Sequence, residues 1–139
     1  MRRYMLDTNT VSYIIKGKSA TARAKLAGLG TNEIACISAI TEAELWYGVA
    51  KNPQATALPA AVNAFLVKIE TLSWGHEEAR AYGNLRAQQE KRGKTLGNLD
   101  LLIAAHAIAT GSTLVTNDKA FTQIPNLSAT VNWASESAL

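Results

Sequence analysis

"NLDLLIAAHAIATGSTLVTND", residues 98–118, decides the architecture. The run 98–111 is apolar almost all round, the pattern of a helix buried in a core rather than lying on a surface. It ends at Gly111, where a helix terminates in the left-handed conformation that glycine adopts without penalty. Thr113–Thr116 then reads as a short strand, and Asp118 follows it after one residue, Asn117. A core helix feeding a short apolar strand is one step of an alternating pattern, and that pattern requires a parallel sheet.

The same alternation extends through the chain. "YML" (4–6) reads as a first strand, and 9–17 as a helix with Val11, Ile14 and Ile15 on one face. Residues 20–27 form a second helix, closed by Gly28, Gly30 and Asn32. "EIACIS" (33–38) is a buried strand, followed by helices over 41–51 and 57–68. In the second of these, Leu58, Val62, Phe65 and Leu66 recur at helical spacing. "IETLSW" (69–74) is a weaker strand, 76–92 a long polar helix, and "ATVNW" (129–133) the last strand. Repeats and linkers are missing, and Pro occurs only at 53, 59 and 125. The expectation is a single domain over 1–139: an α/β protein, built as a three-layer α/β/α sandwich on a mainly parallel sheet of about five strands.

Composition narrows the function classes. A 47% hydrophobic, 18% charged chain of 139 residues has the material for a folded core and is not a disordered tail. The net charge of +3 and pI near 9.1 are compatible with a nucleic-acid partner without requiring one. Cys36 stands alone inside "IACIS", so it forms no intrachain disulfide and reads as a buried small hydrophobe in a reducing compartment. No apolar run reaches membrane-spanning length and the N-terminus lacks a signal-peptide core, so the expected location is the cytoplasm, with no membrane partner.

In an open α/β sheet, ligands bind outside the carboxyl ends of the strands. Asp7 directly follows the first strand and Asp118 the strand 113–116. Glu44 lies one turn into the helix after "EIACIS", and Asp100 opens the core helix. Each acid has an ordinary structural role open to it. Asp7 or Asp118 can cap a helix, Thr41-x-x-Glu44 has the spacing of a capping box, and Asp100 suits the positive end of a helix. Taken together they point elsewhere. Clustered carboxylates repel and raise one another's pKa unless a cation neutralises them. Oxygen ligands unaccompanied by a His or Cys set suit Mg²⁺ or Mn²⁺, which support phosphodiester hydrolysis. Thr8, Asn9, Thr116 and Asn117 are placed to orient the acids through hydrogen bonds.

Other polar groups carry less. His106 reads as a packed or hydrogen-bonded helix residue and His76 as surface, since metal-free acid–base cleavage needs two cooperating groups. Lys91, Arg92 and Lys94 precede Asp100 and are candidate phosphate contacts; Lys16, Lys18, Arg23 and Lys25 form a second basic group near Asp7. Trp46-Tyr47, just after Glu44, reads as core, with one member free to face a partner.

"MLDTNT" at the N-terminus, "SAITEAELWYGVAK" (38–51), "LGNLDLLIAAHAIATG" (96–111), "LVTNDKAF" (114–121) and the closing "NW" (132–133) resemble PIN-domain ribonucleases. More narrowly they resemble the VapC toxins of bacterial VapBC toxin–antitoxin pairs. The resemblance implies a PIN-like fold and a Mg²⁺- or Mn²⁺-dependent endoribonuclease. Such an enzyme hydrolyses structured RNA, often tRNA, and inhibits translation as the toxin of a type II system. It also implies a VapB-type antitoxin and a homodimer. By the same resemblance the catalytic acids are Asp7, Glu44 and Asp100, with Asp118 the local candidate for a fourth. Asp7, Asp100 and Asp118 are the implied metal ligands, Glu44 the group that holds and activates water, and Glu42 a decoy on another side of its helix. The chain departs from many relatives at Ala120, where they carry an acid before the residue matching Phe121, and at Asn98, where Pro is common. The alternatives are a PIN-fold RNA-processing nuclease outside a toxin pair and a non-catalytic RNA- or protein-binding module.

Overall fold

A computed structural model of the protein describes residues 1–94, 96–127 and 129–134. Five strands, β1 (Arg2–Leu6), β2 (Glu33–Ser38), β3 (Glu70–Leu72), β4 (Thr113–Val115) and β5 (Thr130–Val131), form one sheet of order β3-β2-β1-β4-β5. Every pairing is parallel, so the carboxyl ends of all five strands open on the same edge. Six helices connect them: α1 (Thr8–Ile15), α2 (Ala20–Ala27), α3 (Ala39–Lys51), α4 (Leu58–Leu66), α5 (His76–Lys91) and α6 (Asn98–Thr110). A short 3-10 helix, Lys119–Gln123, follows β4.

The three layers follow from the two-residue period of the strands. Met5 lies abreast of Cys36 and Leu114, and these three face a core built with Leu85 of α5 and Leu101, Ile103, Ala104 and Ala107 of α6. Their neighbours Leu6, Ala35, Ile37 and Val115 face the opposite core, with Val11 and Ile14 of α1, Leu45 of α3, Val62 and Phe65 of α4, and Trp133. Burying each Leu, Ile or Phe contributes about 1.5–3 kcal/mol, so both faces are held mainly by apolar contact. Cys36 is buried, and desolvation pushes its thiol up to about 12, which keeps it protonated and unreactive.

Element boundaries differ from the sequence pattern where caps and side chains decide them. Helix α3 starts two residues earlier than periodicity indicates, because the Ser38 hydroxyl accepts the Ile40 N–H at 3.0 Å. Thr41 therefore sits inside the helix, and the capping-box reading of Thr41 and Glu44 fails. Helix α1 likewise starts at Thr8, capped by Asp7. The third strand stops at Leu72, and beyond it the Trp74 indole N–H reaches the Leu102 carbonyl at 3.2 Å. The last strand is only Thr130–Val131, and Trp133 turns to pack its ring 5.4 Å from that of Tyr4. Gly111 caps α6 at φ +64°, in the left-handed region its position requires.

Candidate active site

Asp7 is placed by β4 and by helix α1. Its backbone N–H donates to the Val115 carbonyl at 2.9 Å, joining the end of β1 to β4. Its side chain turns back as the cap of α1, accepting the Thr10 N–H at 2.9 Å, and it is almost fully buried. Burial raises its pKa, and the nearby Asp118 charge adds to the rise; hydrogen bonds from Thr116 and Thr10 act in the opposite direction without cancelling it. Capping and site membership thus belong to the same carboxylate.

Thr116 joins two acids. Its buried hydroxyl donates to Asp7 and accepts the Asp118 N–H at 3.0 Å. Asp118 in turn accepts the Ala120 N–H at 2.9 Å and caps the 3-10 helix. Glu44, half-buried on α3, accepts a hydrogen bond of 2.6 Å from the Thr8 hydroxyl, which also lies 3.4 Å from the Thr41 hydroxyl. This short charge-assisted bond fixes one Glu44 oxygen and ties α3 to the start of α1.

Asp100 stands in the first turn of α6. Its pKa is raised first by burial, then by the charges of Asp118, Asp7 and Glu44. Four carboxylates from four separate elements therefore share one electrostatic neighbourhood at the carboxyl edge of the sheet. The donors available to a ligand there are hard carboxylate and hydroxyl oxygens, a set suited to a divalent cation of the Mg²⁺ type. Among the described residues, no three His, Cys, Asp or Glu groups stand close enough to hold one ion jointly.

The other polar residues are distributed unevenly. Asn117 donates to the Tyr13 hydroxyl at 3.2 Å, bracing the loop after β4 against α1, while Asn9 is exposed on α1. Glu42 accepts the Trp46 indole N–H at 3.0 Å and lies outside the cluster. Glu33 is engaged by the Tyr4 hydroxyl and the Gly30 N–H. Trp46 is partly buried, but Tyr47 is 65% exposed, with the Lys51 ammonium over its ring, so the core reading of the pair fails for Tyr47. Lys91, Arg92 and Lys94 are exposed, and the Arg92 guanidinium donates to the Gln123 carbonyl at 3.3 Å. That hydrogen bond joins the basic segment to the 3-10 helix capped by Asp118. Arg23 differs from its basic neighbours in donating to the Ile14 carbonyl at 2.9 Å, a structural tie between α1 and α2. His76 is exposed; His106 is buried and bonded to Ser38.

Sequence reasoning passes over Thr10, because its N–H bond to Asp7 is indistinguishable from any cap. Thr41 reads as a cap one turn too late, and its place beside Thr8 depends on how α1 and α3 pack.

The sequence profile of the PIN domain matches residues 4–127. The chain is 42% identical over 125 residues to Ribonuclease VapC2 of Rickettsia felis, spanning 89% of this chain and 93% of that one. It is 36% identical over 128 residues to the tRNA(fMet)-specific endonuclease VapC of Salmonella typhimurium, spanning 91% and 96%. Among solved structures it superposes on a chain of VapBC2 from Rickettsia felis bound to a promoter DNA fragment. The TM-score is 0.88 at 40% identity, covering 94% of this chain and 98% of the other.

Proposed function

The chain belongs to the PIN-domain family, among its VapC ribonucleases, and from that premise we propose that it is a divalent-metal-dependent endoribonuclease acting as the toxin of a type II toxin–antitoxin pair. The observation that carries this reading is the electrostatic joining of Asp7, Glu44, Asp100 and Asp118 at one sheet edge. A non-catalytic module has no use for a carboxylate cluster in which burial, and then the neighbouring acids, raise the pKa of Asp7 and Asp100. A catalytic site that recruits a cation does.

Asp7, Asp100 and Asp118 hold the ion, directly or through water. When bound, Mg²⁺ or Mn²⁺ lowers the pKa of a water and shields the scissile phosphate. Glu44 has one oxygen fixed by Thr8, which leaves the other to hold the attacking water and accept its proton. Thr116 holds the Asp7 carboxylate and the Asp118 backbone together, and Asn117 braces their loop. Water attacks phosphorus in line, leaving 5′-phosphate and 3′-hydroxyl ends. Lys91, Arg92 and Lys94 meet the RNA backbone beside the site.

Structured RNA, and tRNA in particular, is the substrate; a Salmonella relative named as a tRNA(fMet)-specific endonuclease supports this. A VapB-type antitoxin is the partner, supported by the VapBC complex whose toxin chain this fold matches. A groove of about 730 Å³, with Ile14, Leu26, Leu29 and Phe65 in its lining beside the charged Arg23 and Lys68, offers an amphipathic antitoxin segment a place to pack. A homodimer and a cytoplasmic location complete the reading; among the described residues no helix is long and apolar enough to cross a membrane. Incubating the protein with total cellular RNA in Mg²⁺ or EDTA and sequencing the new 5′ ends tests it. Monophosphorylated ends at few sites, formed only with Mg²⁺, are expected; cyclic phosphates or cleavage indifferent to EDTA would overturn it.

A further inference from the structure

His106 is buried in the middle of α6, 1% exposed, on the helix that carries Asp100. Its Nδ1 lies 2.8 Å from the hydroxyl oxygen of Ser38, which is itself fully buried. That same oxygen accepts the Ile40 N–H and starts α3, the helix that carries Glu44. The other ring nitrogen, Nε2, makes no full hydrogen bond, and the Ser73 backbone is the polar group that acts on the ring besides Ser38. Desolvation keeps the ring neutral, and the Glu78 charge and the Ser73 backbone do not offset it. A neutral imidazole with one nitrogen unsatisfied is a costly substitute for an apolar residue in a core. The one polar bond it does make joins the two helices bearing site acids.

We propose that His106 is a positioning residue: through Ser38 it locks α6 to the start of α3 and so sets the separation of Asp100 from Glu44. Ser38 lies six residues before Glu44, and His106 six after Asp100, so each acid is about 9 Å along its helix from the latch. Thr8 closes the far side by holding Glu44 at 2.6 Å and standing 3.4 Å from Thr41 of the same helix. With α3 held at Ser38 and again at Glu44, the placement of Glu44 relative to Asp100 depends on how α6 meets Ser38. The catalytic consequence rests on the nuclease reading above; the geometric one does not.

Asn and Gln separate the latch from simple packing. The Asn amide reaches the place of Nδ1 and offers Ser38 both a donor and an acceptor, whereas the Gln amide reaches the place of Nε2. His106→Asn should keep kcat within a few-fold of the parent. His106→Gln and His106→Leu should lower kcat roughly ten- to a hundredfold, as removal of an orienting hydrogen bond does, with KM for RNA unchanged. Crystal structures of the three variants supply the second readout. The Asp100–Glu44 carboxylate separation should match the parent in His106→Asn and differ in His106→Gln. Equal kcat for Asn and Gln variants, or an unchanged separation in both, overturns the proposal. If the parent cleaves no RNA, the nuclease reading fails while the separations still judge the latch; if His106→Leu does not fold, the Asn and Gln pair decides alone.

Discussion

Replacing Asp100 with Asn should make the metal-free protein more stable while destroying its activity. The Asp100 side chain accepts no hydrogen bond among the described residues, so the near-isosteric amide gives up no bonded partner. Burial is the first cause of its raised pKa, and three negative groups, Asp118, Asp7 and Glu44, add to it. Screened like-charge pairs cost about 0.3–0.5 kcal/mol each, giving about 1–1.5 kcal/mol of repulsion removed. Against this, a carboxylate in the first turn of a helix contributes about 0.5 kcal/mol, which the neutral amide forfeits. The repulsion wins by about 0.5–1 kcal/mol, a rise in Tm of about 2–4 °C for a chain of this size. The pH dependence follows the same sign. The folded-state pKa lies above the unfolded value, so the folded protein binds more protons, and stability falls as pH rises from the unfolded pKa through the folded one. The Asn variant should lack that share of the fall. Thermal melts in EDTA at low salt, across acidic to neutral pH, measure it, and added NaCl should narrow the difference. A Tm for the variant at or below the parent's in EDTA at neutral pH would refute the reasoning.

Asp7→Asn and Glu44→Gln should each lower RNA cleavage by more than about a hundredfold, the scale of losing a group that acts in the transition state, whereas Glu42→Gln should cleave like the parent. Quantitative cleavage of a labelled RNA distinguishes them, and an inactive Glu42 variant would break the assignment. Thr8→Val removes the 2.6 Å bond to Glu44 and should lower kcat about tenfold without changing RNA affinity; an equal loss in affinity would place Thr8 on the RNA instead. Replacing Lys91, Arg92 and Lys94 with Ala should weaken binding and reduce the salt slope by roughly 0.7 for each phosphate of single-stranded RNA no longer neutralised. Unaltered slopes would remove these residues from the interface.

The alternation of strands and helices was legible because both periods are strong here, and a buried α6 leaves little choice but a covered parallel sheet. Local competition obscured the boundaries. Ser38 can be read as a strand residue as readily as a cap, and that ambiguity shifts the start of α3 and pairs Glu44 wrongly with Thr41. The acids could be named from their positions at strand ends, yet their partners could not. Thr8 meets Glu44 and Thr116 meets Asp7 across 36 and 109 positions of sequence, distances only packing closes. Tyr47 misled for the opposite reason, since an aromatic on an amphipathic helix carries no mark of which side it takes.

The measurement that bears most directly on the acidic site is cleavage of a 5′-labelled tRNA pool by the parent and by Asp100→Asn, each in Mg²⁺ and after EDTA. Discrete products from the parent in Mg²⁺ alone are predicted, with none from the variant under either condition. Products from the variant in Mg²⁺, or from the parent in EDTA, would contradict a cation held by these carboxylates as the source of the activity.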